Sequence, residues 1–454
     1  MSSDKLHRKS ERSAVAAFHR AAKRVEAYRK FLDANNVKAD TVTDADSFSS
    51  IVPTTNKESV FAANDLPELC VDGKTSDVSA IFTSSGFSSS FSFGLDTEKS
   101  AKSGSRQIDL MLEMYLHTSS IPTLLVNALP MGIHIPATLP AVFDSSTRAD
   151  SVIAVIKKAA PIYKQVILAA EQPFLKKRID EGLYDGIYWP SYNVSVITGA
   201  EIMPENLRTY IGSILGHDPL RPESGRFILN MGVSEVGTSI GHETDDCRRL
   251  RQAARDDEEL SKALLGPSSP YLPSVIQYFP QGYYIETPQD EDGQTRMVIT
   301  TTSPSRPLPL IRYETGDIAK VLTCNEMGEI LRSCGREDLL PTVQLPFILQ
   351  WGRGKYLSLD IGAIYPEQVK EAIYAEHAVA RSTTANFFMR VDSDSLQVDI
   401  QLRRGAAKSA QLEADFQRLI SEWTSAEKVS VNLIPFEEFS DSLELTYQRK
   451  FRYL

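Results

Sequence analysis

The chain has 454 residues, 42% of them hydrophobic and 24% charged, the proportions of an ordinary globular protein with room for roughly two to four domains. A formal net charge of -10 leaves no basic footprint for nucleic acid, although backbone amides and magnesium can still hold an anionic nucleotide. No apolar run approaches the ~20 residues of a membrane span, and the polar residues 1–12 lack the apolar core of a secretion signal.

Over residues 14–32, Val15, Phe18, Ala22, Val25 and Leu32 recur at helical spacing opposite a Lys/Arg face, which predicts an amphipathic helix. Val52-Pro53-Thr54-Thr55-Asn56-Lys57 reads as a turn before a further helical start. Cys70, Cys247, Cys324 and Cys334 are scattered without Cys-x-x-Cys spacing, so reduced thiols in a cytoplasmic setting are expected. Adding His242 to the last three as a zinc set gains little from the spacing. Ala80-Ile81-Phe82-Thr83 reads as an apolar strand opening onto a Ser/Gly loop, Ser84-Ser85-Gly86-Phe87-Ser88-Ser89-Ser90. A helix is predicted from Ser105, with Ile108, Met111, Leu112, Tyr115 and Leu116 on one face.

Between residues 122 and 198 short apolar runs alternate with helical stretches, as in layered α/β folds. Val194-Ser195-Val196-Ile197-Thr198 and Phe227-Ile228-Leu229-Asn230 read as buried strands. Residues 245–262 read as a solvated helix that carries Arg248, Arg249, Arg251 and Arg255. Residues 283–312 read as antiparallel strands turning at Asp290-Glu291-Asp292-Gly293. A boundary is predicted at Trp351-Gly352-Arg353-Gly354-Lys355, dividing the chain into a large domain, residues 1–351, and a small one, residues 352–454. The small domain has a helix over residues 367–374 and a strand with Leu396, Val398, Ile400 and Leu402 alternating. A helix with Leu412, Phe416, Leu419, Ile420 and Trp423 follows, then a strand with Val429, Val431 and Leu433.

Four polar loops each follow an apolar strand, and in open α/β sheets such loops converge at the strands' carboxyl ends. Thr83-Ser84-Ser85-Gly86 with Ser88 offers hydroxyls and backbone amides to a polyphosphate. Gly199-Ala200-Glu201 has small residues that permit close approach to a flat base. Met231-Gly232-Val233-Ser234-Glu235 supplies a hydroxyl and a carboxylate able to hold magnesium through phosphates. In Leu310-Ile311-Arg312-Tyr313-Glu314-Thr315-Gly316-Asp317-Ile318, Asp317 is placed at a strand end, where an ionised carboxylate can accept two ribose hydroxyls. Each loop also has a purely structural reading, and Thr-Gly-Asp by itself is ordinary turn chemistry.

The ordered set resembles the adenylate-forming superfamily of acyl-CoA ligases, adenylation domains and luciferases. Within it, the chain is most similar to the phenylacetate–CoA ligase branch, near the acyl-protein synthetases of bioluminescence. The resemblance covers nearly the whole chain, from Val25, Tyr28 and Leu32 and Thr55-Asn56-Lys57 onward. It implies an α/β fold: a large N-terminal domain of several subdomains and a small mobile α+β C-terminal domain. It further implies a phosphate loop at residues 84–90, an adenine-contacting turn at Gly199-Ala200-Glu201, and a ribose site at Asp317. Ser234 and Glu235 would lie by the phosphates, with Glu235 on Mg²⁺; Arg353 would be the hinge arginine and Lys450 the catalytic lysine. Gly354-Lys355 would be the pivot of the small domain, which Gly362 and Tyr365-Pro366-Glu367 would enter. Departures are Phe87 and Ser89 inside the phosphate loop, no basic residue after it before Lys99, and Gly354-Lys355 in place of the usual acidic residue.

The implied activity is ATP- and Mg²⁺-dependent conversion of a small aromatic or medium-chain carboxylic acid to acyl-AMP, then acyl transfer to coenzyme A. Transfer to an amine or a carrier thiol in a specialised biosynthetic pathway is the alternative, and a catalytically dead nucleotide- or acid-binding homologue is the second. A hydrolase finds little support, because Gly232-Val233-Ser234-Glu235-Val236 lacks the closing glycine of a nucleophile elbow. Leu129-Pro130-Met131-Gly132-Ile133-His134-Ile135-Pro136 and Phe174 are candidates to line the acyl pocket or simply to pack the core. A homodimer is compatible with this reading.

Overall fold

The computed structural model describes residues 3–83, 91–130, 133–146, 148–218, 221, 224–265, 270–290, 293–439 and 453–454. They form two compact units, Met1–Ile108 with Asn230–Arg353, and Asp109–Leu229 with Gly354–Leu454. Both are α/β. Among the described residues no helix is long and apolar enough to cross a membrane.

In the first unit, helices Ser3–Arg24, Glu26–Ala34 and Ala45–Ile51 bury Phe18, Val25, Tyr28, Leu32 and Phe48 in one cluster with Tyr284 and Ile311. The one helix expected over residues 14–32 is two, because Val25 takes extended backbone at φ -114° and ψ 115°. Val25 stays in the core all the same, so the apolar spacing survives the break.

Strands Tyr283–Glu286, Arg296–Thr301, Tyr313–Leu322, Phe347–Gly352, Ser274–Tyr278 and Gly237–His242 lie side by side in that order, each antiparallel to the next. Asn230 and Met231 pair with His242 and Gly241 beyond them. Helices Asp245–Asp256, Glu258–Leu265 and Cys324–Ser333 pack Leu250, Leu260, Leu264, Met327 and Leu331 against Val275, Phe347 and Leu349. The solvated helix expected at residues 245–262 is therefore two packed helices. Arg251 is buried and donates from Nε to the Pro273 carbonyl at 2.8 Å.

The strand ahead of the Ser/Gly loop, Val78–Thr83, forms an antiparallel ribbon with Phe93–Thr97 rather than an edge of a parallel sheet. Its residues alternate half-buried and exposed. The helix Glu98–Leu116 starts ahead of the expected Ser105, because Thr97 and Ser100 cap its first turn reciprocally, at 2.8 and 3.2 Å.

In the second unit, Val194–Gly199, Gln165–Ala169, Thr123–Asn127 and Ala141–Asp144 form a parallel series in that order. The two middle strands are buried at every position, as both-sided cover by helices demands. After Gly354, an antiparallel pair, Thr383–Asp392 and Ser395–Leu402, is extended by Val429–Ile434 parallel to the second strand. Helices Pro366–Ala375 and Ala410–Thr424 accompany it. The strand Thr383–Asp392 was not foreseen: buried polar Thr383 and Asn386 interrupt its apolar run, and Ala385 sits in left-handed backbone at φ 66°.

The C-terminal segment is tied to the parallel layer within this unit. The Glu371 carboxylate accepts from the backbone N–H groups of Glu205 and Asn206 at 2.8 and 2.9 Å, satisfying the first turn of helix Glu205–Leu215. Fully buried Lys176 donates to the Thr383 carbonyl at 2.7 Å, and Tyr210 packs on Tyr374 with ring centroids 5.8 Å apart.

Candidate active site

In the first unit the strand Tyr313–Leu322 organises a cluster of charged side chains. Arg296 pairs with Ile318 and Val298 with Glu314, so Met297 alone faces Thr315, Gly316 and Asp317. Gly316 makes this bulge possible by taking φ 81°, where a Cβ would be strained. Thr315 ties the bulge down by donating to the Met297 carbonyl at 3.3 Å and accepting from the Asp317 N–H at 3.2 Å. Asp317 thus lies within a strand, not at a strand end as expected; the bulge, rather than a chain turn, sets it apart from the ladder.

On the other flank Ile318 pairs with Gly352, the last residue of strand Phe347–Gly352, which puts Arg353, the first residue beyond that strand, beside Asp317. Arg353 Nε is 3.9 Å from Asp317 Oδ1; the guanidinium is 51% exposed and the carboxylate 16%. Gly352 and Gly354, at φ 70° and 64°, turn the backbone on either side of Arg353. The expected hinge arginine and ribose-binding carboxylate are thereby brought together.

Tyr313 opens the same strand. Its buried hydroxyl donates to Glu235 Oε1 at 2.6 Å. Burial and then the Glu235 charge push that phenol far above its usual range, so it remains a donor at every working pH. Glu235 sits in the tight turn between Phe227–Val233 and Gly237–His242, closed by Val236 N–H to the Val233 carbonyl at 2.8 Å. Arg306 donates to the Glu235 carbonyl at 3.3 Å. Strand Phe93–Thr97 presses on this turn: a Cβ on Gly94 would lie 2.4 Å from the Ser234 carbonyl oxygen. Glu235 and Ser234 offer oxygen donors, and among the described residues no three or more His, Cys, Asp or Glu side chains are grouped so as to hold a metal ion by themselves. That set suits Mg²⁺, which binds through one or two carboxylates and completes its shell with substrate phosphates and water.

Lys57 reaches the same region through backbone lacing. Thr55 donates its N–H to the Arg312 carbonyl at 2.8 Å and accepts from the Glu314 N–H at 2.8 Å. Thr54 Oγ1 donates to Glu314 Oε1 at 2.9 Å. Burial lowers the Lys57 ammonium pKa, with the Glu235 charge opposing that shift and Arg353 adding to it. Arg312 adopts left-handed backbone at φ 46° and fixes the strand's start, pairing with Glu286 at 3.2 Å and donating to the carbonyls of Ser49 and Val52. The motif reading gave Tyr313, Lys57 and Arg306 no role. The signal for Tyr313 was its place in the Asp317 motif, but only the fold pairs it with Glu235.

Gly199, Ala200 and Glu201 belong to the second unit, at the end of strand Val194–Gly199, with Ala200 at φ 70°. Glu201 Oε2 pairs with Lys370 Nζ at 2.9 Å and accepts from the Tyr453 hydroxyl at 2.9 Å. Gln172 Nε2 donates to the Glu201 carbonyl at 2.8 Å. Of the remaining candidates, Thr83 ends its strand, Met231 is buried and Gly232 exposed. Ser84, Ser85, Gly86, Ser88 and Lys450 lie outside the described residues, as do Met131 and Gly132. Phe174 is a core side chain under the Arg178 guanidinium, and His134 is exposed, 2.9 Å from Asp144.

The fold is that of the adenylate-forming ligases. The chain is similar to 2-hydroxyisobutyryl-CoA ligase in the postadenylation state in complex with R3-HIB-AMP, at 10% identity and TM-score 0.67, with 97% of this chain and 87% of that one covered. An open conformation of the same ligase with 2-HIB-AMP and CoA matches at 11% identity and TM-score 0.53, covering 94% and 87%. An anthranilate CoA ligase in complex with anthranoyl-AMP matches at 12% identity and TM-score 0.51, covering 83% and 66%. No protein-family model and no curated protein sequence matches the chain.

Proposed function

We propose that the protein is an ATP-dependent carboxylate-activating ligase that forms an acyl-AMP and passes the acyl group to coenzyme A. The observation that carries this reading is the convergence of Glu235, Tyr313, Asp317 and Arg353 about one strand, in a fold shared with acyl-CoA ligases. A carboxylate oxygen of the acid bonds to the α-phosphorus of ATP as the bond from that phosphorus to pyrophosphate breaks. Asp317 accepts the ribose hydroxyls, and Arg353 holds Asp317 in place. Glu235, oriented by Tyr313, would hold Mg²⁺, which would supply charge neutralisation at the phosphates. In this reading Thr83, Ser84, Ser85, Gly86 and Ser88 serve the phosphates, Gly199, Ala200 and Glu201 the adenine, and Met231 and Gly232 the nucleotide, each role being the one the resemblance implies. Lys450 offsets the charge growing between the acid and the α-phosphate. The thiol of coenzyme A then attacks the acyl carbon, losing its proton to solvent as AMP leaves.

The acid in this reading is a small aromatic or medium-chain one, residues 352–454 form a small domain pivoting at Gly352 to Lys355, and the protein works in the cytoplasm. Its four free cysteines accord with a reducing compartment. Isotope exchange between pyrophosphate and ATP across a panel of carboxylic acids tests the first step. Exchange with an aromatic or medium-chain acid supports the reading; none with any acid leaves the dead-homologue alternative. Adding coenzyme A, then amines, to the best acid and following products by mass spectrometry tests the acceptor. An acyl-CoA product supports the thioester, whereas adenylate that persists until an amine arrives favours amide formation.

A further inference from the structure

The Glu201 carboxylate is held from two sides by the C-terminal segment. Lys370, 6% exposed on helix Pro366–Ala375, pairs with Oε2 at 2.9 Å, and the Tyr453 hydroxyl donates to the same oxygen at 2.9 Å. The two holders also brace each other, since the Lys370 ammonium lies 4.2 Å from the Tyr453 ring centroid. Tyr453 is itself anchored on strand Thr383–Asp392: its carbonyl accepts from the Met389 N–H at 2.7 Å, and its ring stacks on Phe387 at 4.7 Å and 28°. The backbone of the turn is constrained from the other direction, by the Gln172 bond to the Glu201 carbonyl and the left-handed Ala200. An ion pair and a charge-assisted hydrogen bond therefore meet on one carboxylate oxygen just beyond the end of the buried strand Val194–Gly199, and an aromatic stack anchors one of the two donors.

We propose that Lys370 and Tyr453 are positioning residues that set the shape of the Gly199-Ala200-Glu201 turn, so that the turn is formed for a nucleotide base when the C-terminal segment is docked on it. The inference rests on the reading of that turn as an adenine contact. Neither residue touches the reacting atoms; each acts through Glu201. Removing either leaves the Glu201 carboxylate with one holder fewer and lets the turn relax, which weakens ATP binding before it slows chemistry.

The test uses the full chain with Tyr453→Phe, which keeps the ring stack, and Lys370→Met, which keeps the stem. Hydrogen–deuterium exchange of the peptide spanning residues 194–204 is measured without ligand, and the KM for ATP and kcat of pyrophosphate exchange are measured with the best acid. Faster amide exchange at residues 199–202 is expected in both variants. So is a KM for ATP raised about tenfold, the worth of one hydrogen bond to a charged group, with kcat changed less than threefold. Amide exchange at these residues equal to wild type in both variants would overturn the proposal. So would a loss confined to kcat. If the unsubstituted protein catalyses no pyrophosphate exchange with any acid, the ligase reading fails, while the amide-exchange comparison still decides the clamp.

Discussion

Tyr313 is the residue on which the cluster turns, because its hydroxyl is buried against a carboxylate with which it shares a short hydrogen bond. Tyr313→Phe should cost about 1–3 kcal/mol of stability, because the Glu235 carboxyl then loses a buried hydrogen-bond donor. The same variant should raise the Mg²⁺ concentration needed for half-maximal pyrophosphate exchange; denaturant titration and a magnesium titration measure the two effects. Asp317→Ala should raise the KM for ATP roughly 10- to 100-fold with a smaller change in kcat, as expected of a group that binds the ribose in ground and transition states alike. A fall in kcat alone would remove Asp317 from nucleotide binding. Burial also shapes the acid response of the fold. It pushes His242 down to about 4, so the folded state refuses a proton that the unfolded chain accepts below about 6.5. His242 therefore costs nothing above that pH and up to ~1.4 kcal/mol per pH unit as the pH falls from about 6.5 to about 4. Unfolding free energies across this window should decline more steeply for the natural chain than for His242→Gln.

At the scale of elements, the close approach of strand Phe93–Thr97 to the Ser234-Glu235 turn is the sharpest constraint. A methyl group at position 94 has no room, since its nearest neighbour is the Ser234 backbone oxygen and not a flexible side-chain end. Gly94→Ala should displace the turn, lowering kcat for adenylation and costing roughly 1–3 kcal/mol in stability. Gly104→Ala, where nothing lies within 4 Å of the added carbon, is the matched control and should leave both unchanged or slightly improved. The bulge at Thr315-Gly316-Asp317 is a second constraint of this kind. It arises from one glycine at positive φ and a threonine that bonds across the ladder, both written in the local sequence.

For the molecule as a whole, the chain passes from one compact unit to the other between Arg353 and Gly354, beside two glycines at positive φ. Limited proteolysis should cut at residues 352–355 ahead of other sites, and an acyl-adenylate analogue should change the rate. Cleavage scattered elsewhere with none at this segment would count against a pivot there.

The sequence by itself determined the features that depend on neighbours in the chain. Val15, Phe18, Val25 and Leu32 carried enough spacing to predict the N-terminal helical core, and the alternation of Leu396, Val398, Ile400 and Leu402 predicted a strand. The continuous apolar runs at residues 194–198 and 227–230 marked buried strands for the same reason. Glu235, Asp317 and Arg353 were legible as candidates because each stands in a short polar motif after an apolar run. Tertiary structure alone decided what depends on register and burial. The break at Val25 leaves no trace because it changes the backbone and not the apolar spacing, whereas at Arg251 and in strand Thr383–Asp392 buried polar groups are satisfied by distant backbone that no local pattern reveals. The pairing of Asp317 with Arg353, of Tyr313 with Glu235, and of Glu201 with Lys370 and Tyr453 spans separations that no local pattern encodes. Those contacts follow from which strands lie side by side and in what register, and register is a property of the assembled sheet.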